Sequence, residues 1–467
     1  MVNYTFEAMQ PNEWLSRSYS DLLEELKEFL RFSSVSAQPQ YKSELYATAQ
    51  WLKGYLEKLG FVVQLIGEPP VVHGYYESSG EAPTVLFYGH YDVQPPEPLE
   101  LWVSPPFSPR IADDSIYARG ACDDKGQVFI HLAAWKYFVE AYGKLPVSIH
   151  VVIEGQEETG SETLYQVLAA HGMQWRSDVV VVSDTGFFSE DIPTLTIGLR
   201  GIVYGEIVVQ GPSRDLHSGS FGGVAPNPAF GLSSILAALK GPDQRVCIPG
   251  FYERVRPISS AERQLWRSLP ADEAHYIRLM GAPAVVGEVG FSPLERIGSR
   301  PSLDINGMYS GYTGEGSKTI IPAQAVAKVS MRLVPDQDPT EIWQLFKSYV
   351  ESVTPPGFSV EVRLLHDPAP AFETPTESPY YQAAEKAIQE AFGKRPVPIR
   401  EGGSIPVLSA LQKSIGGAPV ILMGFGLPTD AVHSPNEHFR LSQLRKGIHA
   451  AIRFYEQAAL VRSSSAF

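Results

Sequence analysis

Cysteine is almost missing from this chain: its 467 residues include two, Cys122 and Cys247. That excludes a disulfide framework and a cysteine-built zinc site, and it fits a reducing compartment. Basic residues are in deficit, 38 Lys and Arg against 52 Asp and Glu, for a formal net charge of -14. Such a chain repels phosphate backbones, so nucleic acid is not an expected partner. The opening MVNYTFEAMQPNEW has neither the basic nor the apolar segment of a secretory leader. No run approaches the roughly 18 apolar residues of a membrane span. The expectation is a cytoplasmic protein with no membrane partner. Internal repeats are missing too, and low complexity is confined to a Ser-rich tail at 463–465. Three catalytic signatures fail as well. There is no H-E-x-x-H, and GGSIP at 402–406 ends in proline and so breaks G-x-S-x-G. In GYTGEGSKT at 311–319 a serine separates the last glycine from Lys318, which spoils the phosphate loop a nucleotide-binding protein would need.

What is present is bulk for a large core, with 44% hydrophobic and 11% aromatic residues. The length exceeds one ordinary core, so two domains are expected. Leu45, Leu52, Leu56 and Leu59 recur at helical spacing, with Ser43 as N-cap and Gly60 as terminator. Short β-branched runs at 61–66, 84–88, 147–153 and 179–182 read as strands covered on both faces. Helix-period stretches near 126–142 and 162–171 lie between them. This alternation predicts an α/β/α domain around a mostly parallel sheet. The texture changes after Gly201. Residues 202–210 and 325–333 alternate apolar and polar, a helix is expected near 340–353, and a strand near 358–365. A helical segment from about 378, a buried strand at 419–423 and a last helix from about Ser442 return to the first pattern. The predicted organisation is a catalytic α/β domain, 1–199 and 376–467, interrupted by an α+β lid or dimerisation domain at 200–375.

Acids and imidazoles gather where the predicted strands end. His90 and Asp92 follow TVLFYG, Asp123 and Asp124 sit in RGACDDKG, Glu157 and Glu158 follow VSIHVVIEGQ, Asp184 follows VVVVS, and His433 lies soon after PVILM. Open α/β sheets bind ligands beyond the carboxyl ends of their strands. Each piece alone has an ordinary explanation: Asp123-Asp124 before a helix suits an N-cap, and Glu157-Glu158 suits a solvated loop. Together they put many like charges at one edge, which a divalent cation would relieve. Imidazole nitrogen with carboxylate oxygen is a donor set for zinc-like ions, and two ions need a shared ligand.

The segments GHYDVQP at 89–95, RGACDDKG at 119–126, EGQEETGS at 154–161, SDTG at 183–186 and AVHSPNEH at 431–438 resemble, in order and spacing, those of the M20 family of metallopeptidases. That family includes carnosinase-type dipeptidases, acetylornithine deacetylase and succinyl-diaminopimelate desuccinylase. The resemblance extends over nearly the whole chain and implies two divalent ions, Zn²⁺ as first choice with Mn²⁺ or Co²⁺ accepted. His90, Asp123, Glu158, Asp184 and His433 are the implied ligands, with Asp123 bridging. Glu158 and His433 would complete one ion, His90 and Asp184 the other. Asp92 would orient His90, and Glu157 would be the general base toward a hydroxide between the ions. A cis peptide is implied at 123–124.

In the inserted domain, His217 in DLHSGSFGG resembles a lid histidine that reaches the neighbouring active site of a homodimer. Arg332 in VSMRLVPDQ resembles an arginine that pairs with the substrate carboxylate. Thr319 and Ser404, in REGGSIP, resemble further contacts on that side. The expected activity is hydrolysis of dipeptides or short peptides with a free C-terminus. An N-acyl-amino-acid deacylase is the nearest alternative, and an inactive scaffold of the same fold is a more distant one.

Overall fold

Four neighbouring parallel strands carry the first unit. They are Ser148–Glu154, Thr84–His90, Val179–Val182 and Val420–Leu422, in that spatial order. All are buried except the first residue of Thr84–His90. Full burial explains why their sequences are runs of Val, Ile and Leu rather than alternating patterns. The computed structural model describes residues 9–78 and 81–461; the Ser-rich tail and the first eight residues of the opening segment lie outside that range.

Both flanks of the parallel block are antiparallel. Val71–Tyr76 joins Ser148–Glu154 and in turn pairs with Val62–Ile66, while Thr194–Leu199 meets Val420–Leu422 on the far side. The sheet is therefore mixed, and parallel only at its centre. Helix Lys125–Tyr142 is apolar on nearly every face, as befits a helix packed between Pro11–Leu30 and Leu441–Ala458. Helix Lys42–Lys58 has Tyr41 at its N-cap position rather than Ser43, which lies inside the helix. A 3₁₀ turn at Pro39–Tyr41 runs directly into this helix, so no serine cap is used. Gly60, at φ 91°, follows its end.

The second unit has an antiparallel sheet in the order Ser302–Ser310, Gln324–Leu333, Gly201–Gln210, Ser359–Leu364. Its core joins Val203, Ile207, Val209, Val329 and Met331 to Ile235 of helix Pro228–Ala238 and Phe346 of helix Pro339–Val353. One covered face is the reason for the alternation read at 202–210 and 325–333.

Contacts divide the described chain into one unit comprising residues up to Ile197, Thr374–Ile399 and Val407 onward, and another comprising Gly198–Glu373 with Arg400–Pro406. The short stretch Arg400–Pro406, assigned from sequence to the first unit, belongs to the second. Ser404 Oγ donates to the carbonyl of Arg200, and Arg200 Nε donates to the carbonyl of Gly402 at 3.0 Å. Among the described residues, no helix is long and apolar enough to cross a membrane.

Candidate metal centre

Strand ends deliver the site in the first unit. His90 is the last residue of Thr84–His90, and Asp184 lies two residues beyond Val179–Val182. Glu157 and Glu158 open a 3₁₀ turn after Ser148–Glu154. Asp123 precedes helix Lys125–Tyr142, and the Asp123–Asp124 peptide is cis. Asp124 holds the N-cap position, but its side chain caps nothing. Its Oδ2 accepts the amide of His90 at 3.2 Å instead. Gly89 must lack a side chain for this, because a Cβ there would lie 2.9 Å from that oxygen.

Two triads of possible ligands form around one shared carboxylate: His90, Asp123 and Asp184, and Asp123, Glu158 and His433. Asp123 Oδ1 lies 3.1 Å from His90 Nε2, and its Oδ2 lies 2.8 Å from His433 Nε2. Asp184 Oδ2 is 3.9 Å from His90 Nε2, and Glu158 Oε2 is 3.4 Å from His433 Nε2. His90 Nδ1 faces the carbonyl of Asp92 at 3.1 Å and its Oδ1 at 3.4 Å. That places the ring proton on Nδ1 and leaves the Nε2 lone pair facing the acids. Asp92 also accepts the amides of Glu157 and Glu158, each at 3.2 Å, and the hydroxyl of Ser36 at 2.6 Å. One carboxylate thus orients the histidine and holds the turn that carries both glutamates.

The electrostatics call for a cation. Burial raises Asp184 well above the ordinary carboxylate range, and Asp124 and Asp123 add to the rise. Burial raises Glu157 likewise; His90 opposes the rise, while Glu158, Asp123 and Asp92 reinforce it. His433 is driven up to about 10 by hydrogen bonds to Asp123 and Glu158. His90 Nε2 and Glu158 Oε1 are buried without a hydrogen-bond partner, a costly state for polar atoms. Orphaned donor atoms of the right types, around crowded acids, fit divalent metal ions.

The second unit holds the remaining candidates as two pairs. His217 is exposed and pairs with Ile320 across a short two-stranded ribbon, next to Thr319, whose carbonyl accepts the amide of Ser218. His217 Nδ1 accepts the amides of Gly219 at 3.0 Å and Ser220 at 3.3 Å. The neutral ring must then carry its proton on Nε2, as a donor. Arg332 is half-buried and donates to Ser404 Oγ at 2.6 Å.

Arg200 was not singled out from the sequence. Its carbonyl accepts from Ser404, and burial, with Arg332 adding to the effect, lowers its guanidinium to about 10. A lone arginine before a predicted strand gives no signal of this. Glu437 likewise carries no local signal of its role, although it lies in AVHSPNEH. It is fully buried, and its carboxylate accepts four hydrogen bonds from the Asp123 loop.

The model of Peptidase family M20/M25/M40 matches residues 86–457. The Cys-Gly metallodipeptidase of Candida albicans is 32% identical over 453 residues, covering 91% of this chain and 92% of that protein. The crystal structure of human carnosine dipeptidase 1 superposes with a TM-score of 0.85 at 28% identity, over 97% of this chain and 98% of that one. An M20 family metallo-carboxypeptidase from Sulfolobus solfataricus gives 0.84 at 30% identity, over 94% and 100%. Matched by the family model over most of its length and by these relatives in sequence and fold, the chain belongs to Peptidase family M20/M25/M40 and is a dipeptidase-like metallopeptidase.

Proposed function

We propose that this enzyme hydrolyses dipeptides or short peptides with a free C-terminal carboxylate, using two divalent ions held by His90, Asp123, Asp184, Glu158 and His433. The observation that carries the proposal is the two-sided engagement of Asp123, whose oxygens face different histidines at 3.1 and 2.8 Å. Relatives named for Cys-Gly and carnosine cleavage support the dipeptide part.

Two ions held there would supply Lewis acidity to a peptide carbonyl and to water. Glu157 belongs to neither ligand triad and is free to take a proton from water and return it to the leaving amine. Asp92 keeps His90 and the Glu157 turn oriented throughout. His217 Nε2–H would donate to the developing oxyanion of a neighbouring subunit in a homodimer. Arg332, steadied by Ser404 and with Thr319 on the lid side, would take the substrate carboxylate. Zn²⁺ is the first choice of ion, with Mn²⁺ and Co²⁺ compatible with the same donors.

The test is a panel of dipeptides, their C-terminal amides and N-acetyl amino acids, with Zn²⁺ or Mn²⁺ returned to chelator-stripped enzyme. Metal-dependent cleavage of the free dipeptides, lost on amidation, is the expected result. Cleavage of the acetylated amino acids alone would overturn the peptidase reading in favour of a deacylase.

A further inference from the structure

His433 occupies an unusual loop. Ala431, His433 and Asn436 all have left-handed backbones, at φ 54°, 59° and 64°, a conformation that costs non-glycine residues energy unless the surroundings impose it. The His433 side chain is itself half exposed, so packing of the ring does little to hold it. The loop must be held from its ends.

The hold is at Glu437, four residues on. Its Oε2 accepts Arg119 Nη1 at 2.8 Å and the amide of Gly120 at 2.9 Å. Its Oε1 accepts the amides of Cys122 at 2.9 Å and Asp123 at 3.0 Å. Its own carbonyl accepts the amide of Ala118 at 3.1 Å. Asp430, on the other side of His433, accepts the Cys122 thiol at 3.4 Å and the amide of Leu427 at 2.7 Å. Asn436 fastens the same loop elsewhere, accepting the amide of Val103 and donating to the carbonyl of Leu101, both at 2.8 Å. The loop carrying His433 is thus tied directly to the loop carrying Asp123, and one buried carboxylate makes most of the bonds. Charge-assisted bonds to backbone amides are strong and geometrically exacting.

Asp123 is common to both triads, but the other triad's own two ligands, His90 and Asp184, have no such dependence. His90 ends a strand paired on both sides, and Asp184 follows one. We propose that Glu437 is a positioning residue that sets the separation of Asp123 and His433, and that it thereby governs the ion held by Asp123, Glu158 and His433 more than the ion held by His90, Asp123 and Asp184. This rests on the two-ion reading above. Glu437 faces backbone and Arg119, not the ligand atoms, so it acts through Asp123 and His433 alone.

The experiment is calorimetric titration of chelator-stripped full-length protein with Zn²⁺, for the wild type, Glu437→Gln and Arg119→Met, with thermal unfolding measured alongside. Gln presents an amide N–H to donors that need an acceptor. Arg119→Met removes the ion pair but leaves the three backbone bonds. Expected are two equivalents in the wild type, a second equivalent weakened roughly tenfold to hundredfold in Glu437→Gln with the first nearly unchanged, the range typical of residues that orient ligands, and two near-normal equivalents in Arg119→Met. If Glu437→Gln does not fold, Glu437→Asp, one methylene short of the amides, is measured in the same way and should show the same selective loss.

Unchanged second-ion affinity in the Glu437 variant overturns the inference while leaving the two-ion reading intact. Equal weakening of both ions, or an equal loss of the second ion in Arg119→Met, also overturns it, because either outcome marks a role in general stability. A wild type that takes a single ion overturns the two-ion reading, and the inference falls with it.

Discussion

Asp123 and His433 come from distant parts of the sequence, yet their Oδ2 and Nε2 atoms lie 2.8 Å apart, while the other oxygen of the same carboxyl faces His90. A carboxylate shared between two imidazoles joins the two candidate ligand triads.

Glu157 and Glu158 are neighbours with opposite expected phenotypes. Glu157→Ala should keep its metal content, measured by elemental analysis, while kcat falls about 10²- to 10⁴-fold, the usual contribution of a general acid–base. Glu158→Ala should lose metal. Loss of metal from the Glu157 variant instead would mean that the two roles are exchanged.

Arg332→Ala should lower kcat/KM for free dipeptides by roughly tenfold to a hundredfold, about the worth of a charged hydrogen bond. The loss should appear mainly in KM and shrink on C-terminally amidated substrates. Equal losses on both substrate forms would remove Arg332 from carboxylate recognition.

His217 and Glu157 allow a complementation test. His217→Ala and Glu157→Ala proteins, each nearly inactive, should recover activity when mixed under conditions of subunit exchange. One subunit of the mixed dimer then pairs an intact metal site with an intact histidine. No recovery, despite exchange confirmed with tagged subunits, would place His217 in its own subunit's chemistry or outside the reaction.

His73 and His150 share a hydrogen bond of 3.1 Å. Burial lowers His73 to about 3, with His150 and His171 adding to the effect, and burial lowers His150 to about 4. In the unfolded chain both titrate near 6.5. Between those values the unfolded state binds more protons, so their contribution to stability is full above about pH 6.5 and is lost as the pH falls through about 4 for His150 and about 3 for His73. Urea unfolding of the wild type and of a His73→Gln, His150→Gln double variant should show a difference that depends on pH across that window. A difference that stays flat would mean that the pair is not held neutral.

Much of the candidate site is legible because its acids and imidazoles lie in short contiguous segments after apolar runs, and apolar runs mark buried strands whatever their neighbours. His90, Asp123, Glu158 and Asp184 needed no knowledge of pairing order to be suspected. Arg200 and Glu437 escaped because nothing local distinguishes them. Their significance arises from Ser404 and from the amides of Gly120, Cys122 and Asp123, all distant along the chain. The strand Ser302–Ser310 escaped for a related reason: it is an edge strand, largely exposed, and so carries little of the apolar pattern that identifies buried strands.

The sequence by itself determined the α/β character of the first unit and the residue types that gather at its strand ends, because periodicity and residue type are local properties. Only the tertiary structure decided which oxygen of Asp123 faces which histidine, that Arg400–Pro406 belongs with the second unit, and that a buried glutamate ties the His433 loop to Asp123. Those are distances between segments remote in the chain, and they exist only once the chain has packed.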